Sequence, residues 1–146
     1  MRYYEDITVG ERVELGSHTV TKAEIREFAE RYDPQPIHVD EAAAAESVYG
    51  GLIASGWHTA AVCMRLLAEG FLNETESMGS PGLDELRWLA PVRPGDTLSA
   101  SVEILDTRPS ESREDRGYVK NRLVGRNQEG DDVITWEATN IIGRRP

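Results

Sequence analysis

From Ser55 to about Leu72 runs a helix-length segment whose only polar side chains, after its first residues, are His58, Thr59, Arg65 and Glu69. Most of its circumference is therefore apolar. A helix of that kind has to be wrapped, because docking a single stripe on a flat surface would leave its other faces in water. The rest of the chain must supply the wrapping, and 146 residues are enough for one such helix and a sheet around it.

The wrapping material follows the helix. Leu98, Ala100, Val102 and Ile104 alternate with Ser99, Ser101 and Glu103, the period of a half-buried strand. Tyr118 to Arg126 and Val133 to Ile142 read as two more strands, the last with Ile134, Trp136, Ala138 and Ile142 on one face, and residues 83–90 make a fourth. The charged stretch Ser110 to Gly117 between the middle strands reads as a solvated hairpin loop.

Ahead of the long helix, a first strand near Glu11 to Val20 leads into Thr21, which with Glu24 forms a capping box. Ile25, Phe28, Ala29 and Tyr32 then lie on one helical stripe, which Asp33-Pro34 ends. Pro36 is expected to keep the next residues extended, and Asp40 to cap a short helix through Ala42 to Ala45 that stops before Gly50-Gly51. This order predicts one α+β domain over residues 1–146: an antiparallel sheet curled around a long central helix, a hotdog-like layout. So small a sheet leaves an edge exposed, and pairing across a two-fold axis removes it, so a homodimer is expected.

Charge and cysteine content narrow the function. A formal net charge of −10 argues against a nucleic-acid surface, which needs clustered positive charge. Cys63 is the only cysteine, so neither an intrachain disulfide nor a cysteine-built zinc site can form, and a reducing compartment fits. Met1 to Asp6 lacks the features of a signal peptide, and no apolar run is long enough to cross a bilayer. A cytoplasmic protein without a membrane partner is expected.

The chemistry-bearing segment is Tyr32-Asp33-Pro34-Gln35-Pro36-Ile37-His38-Val39-Asp40. Asp33 and His38 bracket a turn stiffened by two prolines, which lowers the entropy cost of fixing a carboxylate beside an imidazole. Such a pair can orient a water and move its protons. On residue logic alone a capped turn between helices explains the same string. Asp33, His38 and Asp40 do not have a recognised metal-ligand spacing. Gly56, at the start of the apolar helix, offers an unpaired N–H and no side chain to obstruct a ligand, with Ser55 as the cap. Cys63 has no activating neighbour in sequence.

The string Asp33-Pro34-Gln35-Pro36-Ile37-His38 resembles the Asp-x-Asn-Pro-x-His signature of the MaoC-like dehydratases, the hydratase-2-type enoyl-CoA hydratases. Phe28-Ala29, the run Gly51 to Thr59, Leu86-Arg87-Trp88 and Pro91 to Asp96 also look like that family, so nearly the whole chain is covered. The resemblance implies a hotdog fold, with Asp33 and His38 as the catalytic pair and the Gly56 N–H on the thioester oxygen. Gln35, Ser55, Trp57 and His58, next to these three in the chain, are the candidate substrate-binding residues, with His58 on so enclosed a helix also reading as a hydrogen-bonded structural residue. The implied reaction adds water reversibly to a 2-enoyl-CoA to give a (3R)-3-hydroxyacyl-CoA. It needs no metal or redox cofactor, and coenzyme A enters as part of the substrate.

Two positions depart from the family pattern: Tyr32 stands where Gly is common and Gln35 where Asn is common. Gln35 keeps the amide on a longer stem, and Tyr32 belongs to the stripe of the first helix. Of the rival readings, a hotdog thioesterase would carry its carboxylate on the central helix, where the first after Gly56 is Glu69, more than three turns along. A non-catalytic acyl-thioester-binding protein would lack the Asp or the His. Coenzyme A is anionic, so a local basic patch is expected; Arg87 and Arg93 are candidates, and Lys22 and Lys120 are the only lysines among the 16 basic residues.

Overall fold

The three central strands of the sheet bury one side by alternation, whereas the edge strands bury little. Leu98, Ala100, Val102 and Ile104 are almost wholly buried, as are Val119 and Leu123 on the next strand and Ile134, Trp136, Ala138 and Ile142 on the last. The computed structural model describes residues 1–146 and contains five strands: β1 (Arg12–Thr19), β2 (Gly82–Trp88), β3 (Thr97–Pro109), β4 (Arg116–Arg126) and β5 (Asp132–Gly143). They form one antiparallel sheet in the order β1-β3-β4-β5-β2. Of the charged stretch, residues 110–115 form the β3–β4 hairpin loop, while Arg116 and Gly117 already belong to β4.

Four helices accompany the sheet: α1 (Lys22–Tyr32), α2 (Pro36–Val39), α3 (Glu41–Glu46) and α4 (Gly56–Gly70). The inward side chains of β3, β4 and β5 share one core cluster with Cys63, Leu66 and Leu67 of α4. Each fully buried aliphatic side chain there contributes about 1.5–3 kcal/mol of transfer free energy. At Gly125 the helix packs tightly on the sheet. A Cβ on that residue would lie 2.8 Å from Cys63 Sγ and 2.7 Å from Ile134 Cγ2. No helix is long and apolar enough to cross a membrane.

The helix starts follow local chemistry. Thr21 Oγ1 accepts from the Glu24 N–H at 3.2 Å while the Glu24 carboxylate accepts from the Thr21 N–H at 2.7 Å, the expected capping box. Asp40 caps α3 by accepting from Ala42 and Ala43.

Three expectations need correction. The residues after Pro36 are helical rather than extended: the proline takes the first position of α2, where its fixed φ suits a helix and its missing N–H costs nothing, and the extended residue is Gln35 before it, at ψ 143°. Tyr32 lies beyond the buried part of the α1 stripe. Only Ile25 and Ala29 of that helix are buried, and the Tyr32 ring, 69% exposed, rests against Phe28 with centroids 5.1 Å apart. Finally, α4 is covered by its own chain on one side only. Trp57, Ala61 and Met64, spaced one turn apart, form an open stripe because the sheet curls round the opposite face.

The sheet ends irregularly at β2. Its pairing with β5 shifts register between Asp84 and Arg87, and Glu85 within that bulge has φ +55°, the left-handed region. A bulge increases local twist and re-aims the residues beyond it. Here Arg87 and Trp88 lie beyond it, and the Trp88 indole reaches the first residue of α4.

Candidate active site

Three chain segments converge at the N-terminus of α4. Asp33 is the residue that terminates α1, with its N–H bonded to the Ala29 carbonyl. His38 sits in the single turn of α2, held by its N–H on the Gln35 carbonyl. The extended run before α4 is tied to both neighbours, through Ile53 N–H to the Ile37 carbonyl at 3.2 Å and Ala54 N–H to the Val92 carbonyl at 2.8 Å. Gly56 then opens the helix, with Ser55 as its cap accepting from the Trp57 N–H.

This arrangement fixes the imidazole. His38 is 4% exposed, and its Nδ1 lies 2.8 Å from the Ile53 carbonyl oxygen. A carbonyl can only accept, so Nδ1 carries a hydrogen and Nε2 is the atom free to take or give a proton. Nε2 faces Asp33 Oδ2 at 3.3 Å. That separation exceeds the 2.7–2.9 Å or so of a tight charge-assisted bond, and suits two groups that share a third, small hydroxylic partner.

The carboxylate is held from two sides. Gln35 Nε2 donates to Asp33 Oδ1 at 2.7 Å and Ser55 Oγ donates to Oδ2 at 2.7 Å. These two bonds, Gln35 first, together with the attraction of His38, hold the Asp33 carboxyl below its usual range against the opposing effect of burial. Asp33 is therefore ionised at neutral pH.

Asp33, His38 and Gly56 all open onto one cavity of about 470 Å³, walled on its apolar side by Ile37, Trp57 and Trp88 among others. The Gly56 N–H is in the first turn, where an amide has no intrahelical acceptor and the helix end carries partial positive charge. Glycine is required there for space: a Cβ would lie 2.6 Å from Trp88 Cε2. The cavity thus combines a carboxylate, an imidazole and a helix-end amide, which is the equipment for moving a proton beside a carbonyl whose oxygen gains charge.

The other expected site residues fall in different places. Gln35 and Trp57 line the cavity. Ser55, wholly buried, stands behind Asp33 and grips it rather than forming the cavity wall. His58 is not on that cavity. Two residues beyond Gly56, it is rotated by about 200° around the helix and lines a separate hollow with Glu24, Phe28 and Tyr32. Its ring stacks on Phe28 at 4.9 Å and 10°, its Nδ1 is buried without a hydrogen-bond partner, and desolvation pushes its pKa down.

Cys63 is buried, and that burial pushes its thiol up to about 12. Glu69 is exposed, pairs with Arg65 at 2.8 Å and lies off the cavity. Arg87 pairs with Glu85, whereas Arg93 donates to the carbonyl of Tyr49, a cavity residue, at 2.7 Å. No three His, Cys, Asp or Glu side chains gather as a metal-ligand set. Two features escape sequence reasoning: the Ile53 carbonyl that sets the His38 tautomer, and the Trp88 bond to Gly56. A backbone acceptor carries no residue signature, and Trp88 reaches Gly56 from a strand 32 residues further along the chain.

A five-strand antiparallel sheet around a central helix is a hotdog fold, here with a carboxylate, an imidazole and a helix-end amide gathered at the start of that helix. Residues 6–127 match the MaoC-like domain, and the chain belongs to the MaoC-like dehydratase family. It is similar to a MaoC-like dehydratase of known structure from Rhodospirillum rubrum, with 42% identity, coverage of 100% of this chain and 99% of that one, and a TM-score of 0.91. It is also 33% identical to the Bacillus subtilis protein YdeM, over 96% of this chain and 98% of that protein. To an (R)-specific enoyl-CoA hydratase from Rhodospirillum rubrum it is 30% identical, over 99% of this chain and 94% of the relative.

Proposed function

We propose that this protein is an acyl-CoA hydro-lyase that adds water reversibly to the C2–C3 double bond of a 2-enoyl-CoA, giving a (3R)-3-hydroxyacyl-CoA. The observation that carries this reading is the convergence of Asp33 Oδ2 and His38 Nε2, 3.3 Å apart, on the cavity that also receives Gly56. The similarity to an (R)-specific enoyl-CoA hydratase supports the reaction class and its stereochemistry.

In this mechanism Asp33 and His38 hold one water between them. Its oxygen bonds to C3 as one proton passes to the pair, the C2–C3 electrons move toward the thioester carbonyl, and the pair returns a proton to C2. The net change is the addition of one water. As charge develops on the thioester oxygen, the Gly56 N–H binds it more strongly, which favours the transition state over the bound substrate. Gln35 and Ser55 keep Asp33 ionised, and the Ile53 carbonyl keeps His38 in the tautomer with Nε2 toward the water. The reaction needs neither a metal nor a redox group, and coenzyme A is part of the substrate. The open stripe of α4 and the exposed edge strand β2 support a homodimer that covers both.

The test is incubation with a short 2-enoyl-CoA. Loss of enoyl absorbance without release of free thiol, and a product of 3R configuration, are expected. Thiol release would instead mark a thioesterase, and binding without turnover a carrier or assembly protein.

A further inference from the structure

We propose that Trp88 is a positioning residue of this site: its indole holds the Gly56 Cα and carbonyl, which restrains the φ and ψ of Gly56 and so keeps the N–H of the preceding Ser55–Gly56 peptide aimed at the thioester oxygen. The inference rests on the hydration reading above. An oxyanion donor is effective only when it is already placed, within about 0.5 Å, where the charge will appear. Glycine is the residue least able to hold such a position by itself, because it has the widest backbone freedom. It also stands here at a helix end, where turns fray most readily.

On the preceding side Gly56 is fixed by Ser55, buried and capping Trp57. On the following side the constraint is Trp88. Its Nε1–H donates to the Gly56 carbonyl at 2.8 Å, and its ring lies flat against the Cα, with Cε2, Nε1 and Cδ2 all within 2.9 Å of where a Cβ would be. Carbonyls in the first turn already accept an intrahelical bond, so this second donor orients the Gly56–Trp57 peptide rather than satisfying it, and with the ring against Cα it limits how far the Gly56 backbone can swing.

Trp88 is itself well held. Its backbone pairs with Ile134 of β5, the bulge at Glu85 turns the strand end toward the helix, and the ring meets Trp57 edge-on at 5.1 Å and 85°. Yet it is 45% exposed and forms part of the cavity wall. The ring is therefore not a filler of this chain's own core. It links the sheet edge to the first peptide of the central helix at the site where charge develops.

The test compares the parent with Trp88→Phe, which keeps a ring but loses the donor. Hydration kinetics are measured together with the carbonyl stretching band of a bound, carbonyl-labelled 2-enoyl thioester. The expected result is a kcat lower by on the order of tenfold or more, a KM changed less than about twofold, and a carbonyl band shifted less to low frequency than in the parent, at unchanged oligomeric state. A parental kcat with a parental band position would overturn the proposal. Should Trp88→Phe fold poorly, the pair Gly56→Ala and Gly56→Ala in a Trp88→Ala background decides. The added methyl should cost much in the parent and little where the ring is gone, and equal costs would count against Trp88. A parent that hydrates no enoyl thioester removes the functional reading and this inference with it. A parent that hydrates, beside an equally active Trp88→Phe with a parental band, removes this inference alone.

Discussion

Ser55 Oγ donates to Asp33 Oδ2 at 2.7 Å, so the residue that caps the central helix also holds the carboxylate of the site. One hydroxyl can do both because it donates its hydrogen to Asp33 while a lone pair accepts from the Trp57 N–H at 3.3 Å. The start of α4 and the acidic group are therefore one unit, with Gln35 gripping the other carboxylate oxygen.

Removing either grip should move the pH dependence of the reaction. The Gln35 and Ser55 bonds favour the charged form of Asp33, so losing one makes protonation easier and raises its pKa. In Gln35→Leu and in Ser55→Ala the acid limb of the rate–pH profile should move to higher pH. Ser55→Ala should also lose about 1 kcal/mol of stability with its cap. An acid limb at the parental position in both variants would contradict the assignment.

The same depressed pKa ties Asp33 to acid stability. A carboxylate lowered in the folded state contributes stability that is present above its unfolded pKa, about 3.9, and is lost as pH falls through the folded value. Urea unfolding of Asp33→Asn between pH 7 and pH 3 or so should show a shallower loss than the parent. Equal slopes would count against it.

Cys63 should behave as an inert core thiol. With its pKa pushed up to about 12, it stays protonated in the folded protein and should react with a thiol reagent only on unfolding. Because the folded value is the higher one, its contribution to stability is complete below the unfolded value of about 8.5 and lost as pH rises toward the folded one. Alkaline unfolding should therefore be gentler in Cys63→Ala once its constant cavity cost is subtracted. Fast labelling of the native protein at neutral pH would refute this.

His58 offers the opposite case. Desolvation lowers its pKa, so the unfolded chain takes up a proton first and stability falls as pH drops below about 6.5 toward the folded value. Its buried, unpartnered Nδ1 carries a desolvation penalty of about 1–3 kcal/mol, which offsets the stacking on Phe28. His58→Leu should lie within about 1 kcal/mol of the parent at pH 7.5 and lose less stability on acidification to pH 5.5. A parallel fall in both proteins would contradict this account.

Much of the fold was legible because its signals are local. The alternation of Leu98, Ala100, Val102 and Ile104 and the Thr21–Glu24 box each arise from a few neighbouring residues and survive in the structure. What was not legible depends on partners distant in sequence. Apolar residues such as Trp57 and Met64 do not say whether their own sheet or another molecule covers them. At the site, the spacing of Asp33 and His38 was visible. The tautomer of His38 was not, because it depends on a carbonyl 15 residues away. Ser55 was legible as a cap but not as a carboxylate ligand. The bond from Trp88 to Gly56 joins residues 32 apart, and the bulge before it holds a left-handed Glu85, a position that glycine would normally announce.

The central claim, that Asp33 and His38 together activate the water, is tested most directly by the initial rate of enoyl-CoA hydration in the parent, Asp33→Asn and His38→Gln, each checked for a parental circular dichroism spectrum. Both variants should fold and lose on the order of a hundredfold or more in rate. A folded variant of either residue that hydrates at the parental rate would contradict it.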